Sequence, residues 1–122
     1  RFVSARRNSA KSVTLWGSGN PRREFLHSYD LAEAVLLAAD KYDDDSHLNI
    51  GTGKDITIKE LADIVSSNSN FQGSIKWDMS KPDGAPRKVL DITRLESLGW
   101  RGRIPLEEGI AKTIQWFEKN YN

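Results

Sequence analysis

Short β-branched runs alternate along this chain with helix-period apolar stripes that open on side-chain caps. That alternation restricts the fold to a packed mixture of strands and helices. The clearest cap is Thr57-Ile58-Lys59-Glu60: a hydroxyl placed to accept from the N–H three residues on, with a glutamate there to reach back. Ile58, Leu61, Ala62 and Val65 then share one face of a helix predicted to run to about Ser66. Asp30 with Glu33 repeats the pattern ahead of Leu31, Ala34, Val35 and Ala38, and predicts a helix to about Tyr42. Thr93 caps a short predicted helix ended by Gly99. Pro105, whose missing N–H costs nothing at a helix start, opens a last one through Leu106, Ile110, Thr113, Ile114, Phe117 and Tyr121. Strands are predicted at Val13–Trp16, Glu24–His27, His47–Ile50 and Gly73–Trp77. The class is therefore α/β, or α+β for the piece in isolation, in one packed unit over residues 1–122. A chain of that length buries roughly two thirds of its unfolded surface, enough for an ordinary core.

Composition removes several function classes. With no cysteine, thiol catalysis, disulfides and thiolate zinc sites are excluded, and a reducing, cytoplasmic location is expected. His27 and His47 lack a second ligand at metal-site spacing, so no metal centre is expected. No nucleophile-elbow pattern accompanies His27, which is expected as a partly buried strand residue. No apolar run approaches the roughly 18 residues of a membrane span, and none follows the basic stretch Arg1–Lys11 as a signal peptide requires. The net charge of +1 argues against a polyanion binder, so neither membrane nor nucleic acid is an expected partner. A small basic nucleic-acid-binding module built on Arg1, Arg6, Arg7, Lys11 and Arg22 stays as the alternative of a different class. It predicts binding that weakens steeply with salt. Asp43-Asp44-Asp45 reads as a solvated loop. The chain opens on Arg1-Phe2-Val3, without methionine and in mid-pattern, and so reads as a piece of a longer protein.

Gly17-Ser18-Gly19 lacks the third glycine of a dinucleotide loop. Gly51-Thr52-Gly53-Lys54 follows a strand and precedes a helix, yet Asp55 stands where a phosphate loop needs Ser or Thr. Both read as turns. Two segments carry binding chemistry. Trp16-Gly-Ser-Gly-Asn-Pro-Arg-Arg23 combines a flat apolar ring, glycines that admit close approach, and guanidinium forks suited to pyrophosphate oxygens. Tryptophans are usually well buried, so residue types alone favour Trp16 in the core and solvated arginines. Lys81-Pro-Asp-Gly-Ala-Pro-Arg-Lys88 is a stiff loop that offers Asp83 as an acceptor for ribose hydroxyls or a guanine edge, with Lys81, Arg87 and Lys88 available to phosphate. An ordinary turn accounts for it equally well.

In order, Trp16-Gly-Ser-Gly-x-Pro-x-Arg-Glu-Phe-Leu-His27, Asp30-Leu-Ala32, Asn49-x-Gly-Thr-Gly53, Thr57-Ile-x-Glu-Leu61, Lys81-Pro-Asp-Gly-x-Pro-Arg-Lys88, Leu90-Asp91, Arg94-Leu95, Leu98-Gly99-Trp100 and Gln115-Trp116-Phe117 resemble the C-terminal portion of the GDP-L-fucose synthase family. That family is a branch of the extended Rossmann-type short-chain dehydrogenases/reductases, and the likeness spans essentially the whole chain. The middle motifs are shared with other nucleotide-sugar enzymes of that group; Trp16–Arg23 and Lys81–Lys88 point to the GDP-fucose branch. Asn20 and Tyr29 depart from its more usual Thr and Asp.

The resemblance implies a substrate-binding portion of an enzyme that epimerises GDP-4-keto-6-deoxy-D-mannose at two carbons and reduces its ketone with NADPH to GDP-L-fucose. It implies substrate contacts at Arg1, Trp16, Arg23 and Asp83, with Lys88 as a further phosphate candidate. Arg1 and Arg23 are expected near the pyrophosphate, Trp16 packed on the ligand, and Asp83 on the nucleoside. The family's NADP loop, catalytic Ser, Tyr-x-x-x-Lys pair and Cys and His acid/base residues lie upstream. Here Tyr29 leads to Glu33 and Tyr42 to Ser46. No catalytic residue, NADP binding or activity is thus expected of this chain alone, whose expected partners are the NADP-binding Rossmann domain of the same protein and, at full length, a second copy in a homodimer. A sibling epimerase or dehydratase acting on UDP- or dTDP-sugars is the alternative within the same fold.

Overall fold

The computed structural model describes residues 1–121. Its elements in order are α1 (Phe2–Arg7), β1 (Ser12–Trp16), β2 (Arg22–Glu24), α2 (Ser28–Lys41), β3 (Asp55–Thr57), α3 (Ile58–Asn68), β4 (Ser74–Asp78), β5 (Arg87–Lys88), α4 (Thr93–Ser97) and α5 (Leu106–Asn120). β1 and β4 pair in parallel, Val13 facing Ile75 and Trp16 facing Asp78. β2 lies between antiparallel β3 and parallel β5. The mixed α/β class is as expected. Phe2, Val13, Ala62 and Phe71 form one buried cluster, joining α1 and β1 to α3. Ala34, Ile92, Leu95 and Trp100 form another, beneath α2 and α4.

Thr57 accepts from the Glu60 N–H at 3.1 Å while the Glu60 carboxylate takes the Thr57 N–H at 2.7 Å, so the predicted capping box is complete. The Asp30 box is not formed. His27 caps α2 instead, its Nδ1 accepting from the Tyr29 N–H, and the helix starts two residues before Asp30. Asp30 is buried and accepts from the backbone N–H groups of Arg103 (3.1 Å) and Ile104 (3.0 Å), tying the loop before α5 to the first turn of α2. His27 therefore belongs to a cap rather than a strand. The second strand is Arg22–Glu24, the stretch flanked by partners on both sides.

His47–Ile50 makes no ladder, because no neighbouring strand lies within the described residues. Asp91 Oδ1, not Thr93, accepts at the start of α4. α1, β3 and β5 are short elements that the sequence pattern left unassigned. α1 carries Arg6 and Arg7 in its last turn, where cations interact favourably with the negative end of the helix dipole, and Arg6 reaches Glu118 of α5. No helix of the described residues is long and apolar enough to cross a membrane.

Candidate functional site

The turn after β1 and the loop after β4 are built to touch. Gly17 and Gly19 adopt φ of 77° and 78°, a left-handed conformation that costs glycine least. A Cβ on Gly17 would collide with the Asp83 carboxylate, and one on Gly19 would lie 2.7 Å from the Trp77 ring. Asp83 then accepts from the Ser18 N–H and the Ser18 hydroxyl, each at 2.6 Å. These bonds hold its carboxyl below the usual carboxylate range, so it is a pure acceptor at neutral pH. Beside it Trp16 is 67% exposed, with Lys81 Nζ 5.9 Å from its ring centroid, within cation–π reach. The expectation of a core tryptophan is thus overturned: β1 ends at Trp16, and its ring projects beyond the apolar cluster that covers Val13.

The β3–β2–β5 sheet sorts the neighbouring cations. Successive side chains on a strand face opposite ways, so Arg22 with Arg87 and Arg23 with Lys88, paired in register, occupy opposite faces. On one face the Asp55 carboxylate, only 4% exposed, accepts from Arg22 Nε at 2.7 Å and from Arg87 Nε. Hydrogen bonds from Arg87 and then Arg22 hold the Asp55 carboxyl below its ordinary range. On the other face Arg23 donates only to its neighbour's carbonyl, Arg22 O, at 2.7 Å. Neither Arg23 nor Lys88 makes an ion pair among the described residues. Both line a cavity of about 560 Å³ with Glu24, Leu26, Ile50 and Leu90. Two adjacent uncompensated cations make a locus for an anion, whereas Arg22 and Arg87 are already neutralised.

Two of the five sequence candidates, Trp16 and Asp83, are therefore joined through Ser18 and Lys81, and two more, Arg23 and Lys88, through the strand register. Gly84, next to Asp83, lies near the end of the Arg23 side chain: a Cβ there would be 3.8 Å from Arg23 Nη2. Arg1 is held on β1, donating to the Thr14 carbonyl at 3.2 Å. The bonding roles of Ser18 and Asp55 escaped the sequence reading. A serine between glycines carries no signal of its own, and the role of Asp55 depends on cross-strand register. The Gly51 turn is likewise explained: the N–H groups of Thr52 and Gly53 point at the Glu24 carboxylate, which also takes the Leu90 N–H at 2.9 Å. Those donors are spent, so the turn is not a phosphate loop.

A family model described as the NAD dependent epimerase/dehydratase family matches residues 1–51. The probable GDP-L-fucose synthase 1 of Oryza sativa subsp. japonica is 46% identical over 98% of this chain and 37% of its own length. A crystal structure of a GDP-L-fucose synthetase from Naegleria fowleri bound to NADP superposes with a TM-score of 0.92 at 28% identity, over 98% of this chain and 38% of that one. Over almost its whole length this chain is thus similar to part of GDP-L-fucose synthases, and its first 51 residues match the epimerase/dehydratase family model. It aligns to the C-terminal part of its relatives and spans about two fifths of their length. The UDP-glucose 4-epimerase of Thermotoga maritima, solved with UDP-glucose, also superposes (TM-score 0.84, 26% identity, 99% of this chain and 39% of that one).

Proposed function

We propose that this chain is the GDP-sugar-binding part of an enzyme of the GDP-L-fucose synthase type, which epimerises GDP-4-keto-6-deoxy-D-mannose and reduces it to GDP-L-fucose. The observation that carries the reading is the sorting of cations across the small sheet. Arg23 and Lys88 make no ion pair among the described residues, while Arg22 and Arg87 are neutralised by Asp55. In this arrangement Arg23, aided by Lys88 and by Arg1 at the edge of β1, binds the pyrophosphate. Trp16 packs on the ligand and Asp83 accepts from the nucleoside.

The substrate ketone acidifies the C–H bonds on either side of it, so one site can serve both epimerisation and reduction. This chain's share of that chemistry is to anchor the nucleotide end and so hold the sugar still. NADPH supplies the hydride in such an enzyme. The Gly51 turn does not fit that cofactor's phosphates, since its N–H groups are bound to Glu24. In this reading the cofactor, the acid/base groups and catalysis belong to the part of the relatives that this chain does not span. That part also supplies what α2 lacks: Leu31, Val35 and Leu36 are exposed, a burial pattern suited to a helix inside a larger protein. A cytoplasmic location and a homodimer of the full-length protein complete the reading.

Calorimetric titration with GDP, and with UDP as the control, tests it. GDP is expected to bind more tightly, and Arg23→Ala to weaken it about tenfold or more, the loss expected for a charge-assisted pair. Tighter binding of UDP would transfer the chain to the sibling sugar-nucleotide enzymes.

A further inference from the structure

Asp83-Gly84 is the single Asp-Gly pair in the chain. It lies in residues 81–88, all of them exposed. Gly84 has a φ of 75°, and the space where its Cβ would stand is open but for Arg23 Nη2 at 3.8 Å. An aspartate followed by an unhindered peptide nitrogen can react with its own backbone. The Gly84 nitrogen attacks Asp83 Cγ, an N–Cγ bond forms, and one carboxyl oxygen leaves as water with the amide and acid protons. The five-membered succinimide then takes water back. Opening at the Asp83 backbone carbonyl carbon leaves Gly84 attached through Cγ. The product is isoaspartate, with a main chain one carbon longer and a carboxylate one carbon nearer Cα. The folded chain opposes this reaction. Ser18 holds both carboxylate oxygens, its backbone N–H donating to Oδ1 and its hydroxyl to Oδ2, each at 2.6 Å. The hydroxyl oxygen is itself fixed by accepting from the Asn20 N–H at 3.1 Å. Departure of either oxygen as water requires one of these bonds to break. The hydroxyl bond, and then the backbone bond, also hold the carboxyl below its usual range, so the neutral acid that can lose water is scarce at neutral pH.

We propose that Asp83-Gly84 is a site of spontaneous isomerisation to isoaspartate, and that the Ser18 clamp restrains its rate. The inference stands apart from the nucleotide-sugar reading. Its consequence is structural: the shortened carboxylate arm withdraws from Ser18, and the lengthened loop no longer ties the turn after β1 to the approach to β5.

The test incubates the wild-type chain, its variants and a synthetic peptide of residues 77–87 at neutral pH and one temperature below the unfolding midpoint. Tryptic digestion with electron-transfer fragmentation then separates isoaspartate from aspartate at position 83, which have equal mass. The free peptide should convert fastest and the wild-type chain slowest. Ser18→Ala keeps the backbone bond but loses the hydroxyl bond, and should convert about three- to tenfold faster than wild type, the gain in released carboxylate that one hydrogen bond allows. Ser18→Thr should return the rate to near that of wild type. Thr57→Ala, destabilised at a distant cap, should convert at the wild-type rate and so separates local release from general loosening. Asp78, in the same tryptic peptide and bonded to Ser80 but followed by Met79, should stay unchanged throughout. Equal rates in wild type and Ser18→Ala, or equal acceleration in Ser18→Ala and Thr57→Ala, would overturn the role of Ser18. So would a wild-type rate matching that of the free peptide. No isoaspartate in Ser18→Ala once the peptide has converted would overturn the site itself.

Discussion

Asp30→Ala should be among the most damaging single substitutions in this chain. Asp30 is 3% exposed, and its Oδ2 accepts from the N–H groups of Arg103 and Ile104 at 3.1 and 3.0 Å. A hydrogen bond to a charged acceptor contributes about 1.5–3 kcal/mol. The two share one oxygen and are not additive, and the Arg103 side reaches solvent once released, so the loss is about 2–4 kcal/mol. Asn retains a carbonyl oxygen of the same shape and should cost only about 1 kcal/mol. Glu33→Ala is the control. Its partner Arg103 lies 3.3 Å away, but the side chains are 50% and 75% exposed, and such a pair contributes under about 1 kcal/mol. Urea unfolding followed by circular dichroism reads all three. With a slope of about 1–3 kcal/mol/M, Asp30→Ala should lower the midpoint by about 1 M or more. Equal midpoints for Asp30→Ala and wild type, or a loss in Glu33→Ala as large as in Asp30→Ala, would refute the assignment of Asp30 as the loop's anchor.

Thr57→Ala removes the hydroxyl half of the α3 capping box and should cost about 1 kcal/mol in the same assay. Leu95→Ala, at a fully buried position, should cost about 2–5 kcal/mol. The carboxyls of Asp55, Asp83, Asp91 and Glu60 all titrate below their ordinary range when folded, chiefly through hydrogen bonds from Arg87, Ser18, Thr93 and Thr57 respectively. A depressed folded-state value stabilises above the unfolded value and is lost as pH falls through the folded one. Thermal stability should therefore hold from pH 7 to about 5 and drop below about pH 4, with a shallower drop in Asp55→Asn. Iodide should quench the fluorescence of the exposed Trp16 and Trp116 but not that of the buried Trp100, so Trp16→Phe should reduce the quenchable fraction without abolishing it.

The parts of the fold set by neighbours in sequence were legible. Thr57 and Glu60 are three residues apart and need nothing else to form their box, and β1 and β4 follow from short β-branched runs. What depends on distant partners was not. Asp30 resembles a cap, and only the arrival of Arg103 and Ile104 gives it another task. Leu31 and Val35 fit a helical stripe, but periodicity cannot say whether this chain holds the surface that covers them. Arg22 and Arg23 are chemically identical in the sequence; the register that brings Asp55 to one and Lys88 to the other exists only in the sheet. Trp16 was favoured as core on residue type, and its position at the end of β1 decides otherwise.

The central claim is that the Trp16–Asp83 and Arg23–Lys88 groups form one GDP-binding face. Intermolecular nuclear Overhauser contacts between bound GDP and the chain test it most directly. The account predicts contacts from the guanine ring to Trp16, with GDP-dependent shifts at Arg23, Asp83 and Lys88 and weaker effects from UDP. Contacts that fall instead on the apolar cavity of about 270 Å³ between α3 and α5, lined by Phe25, Leu61 and Ile110, would contradict it.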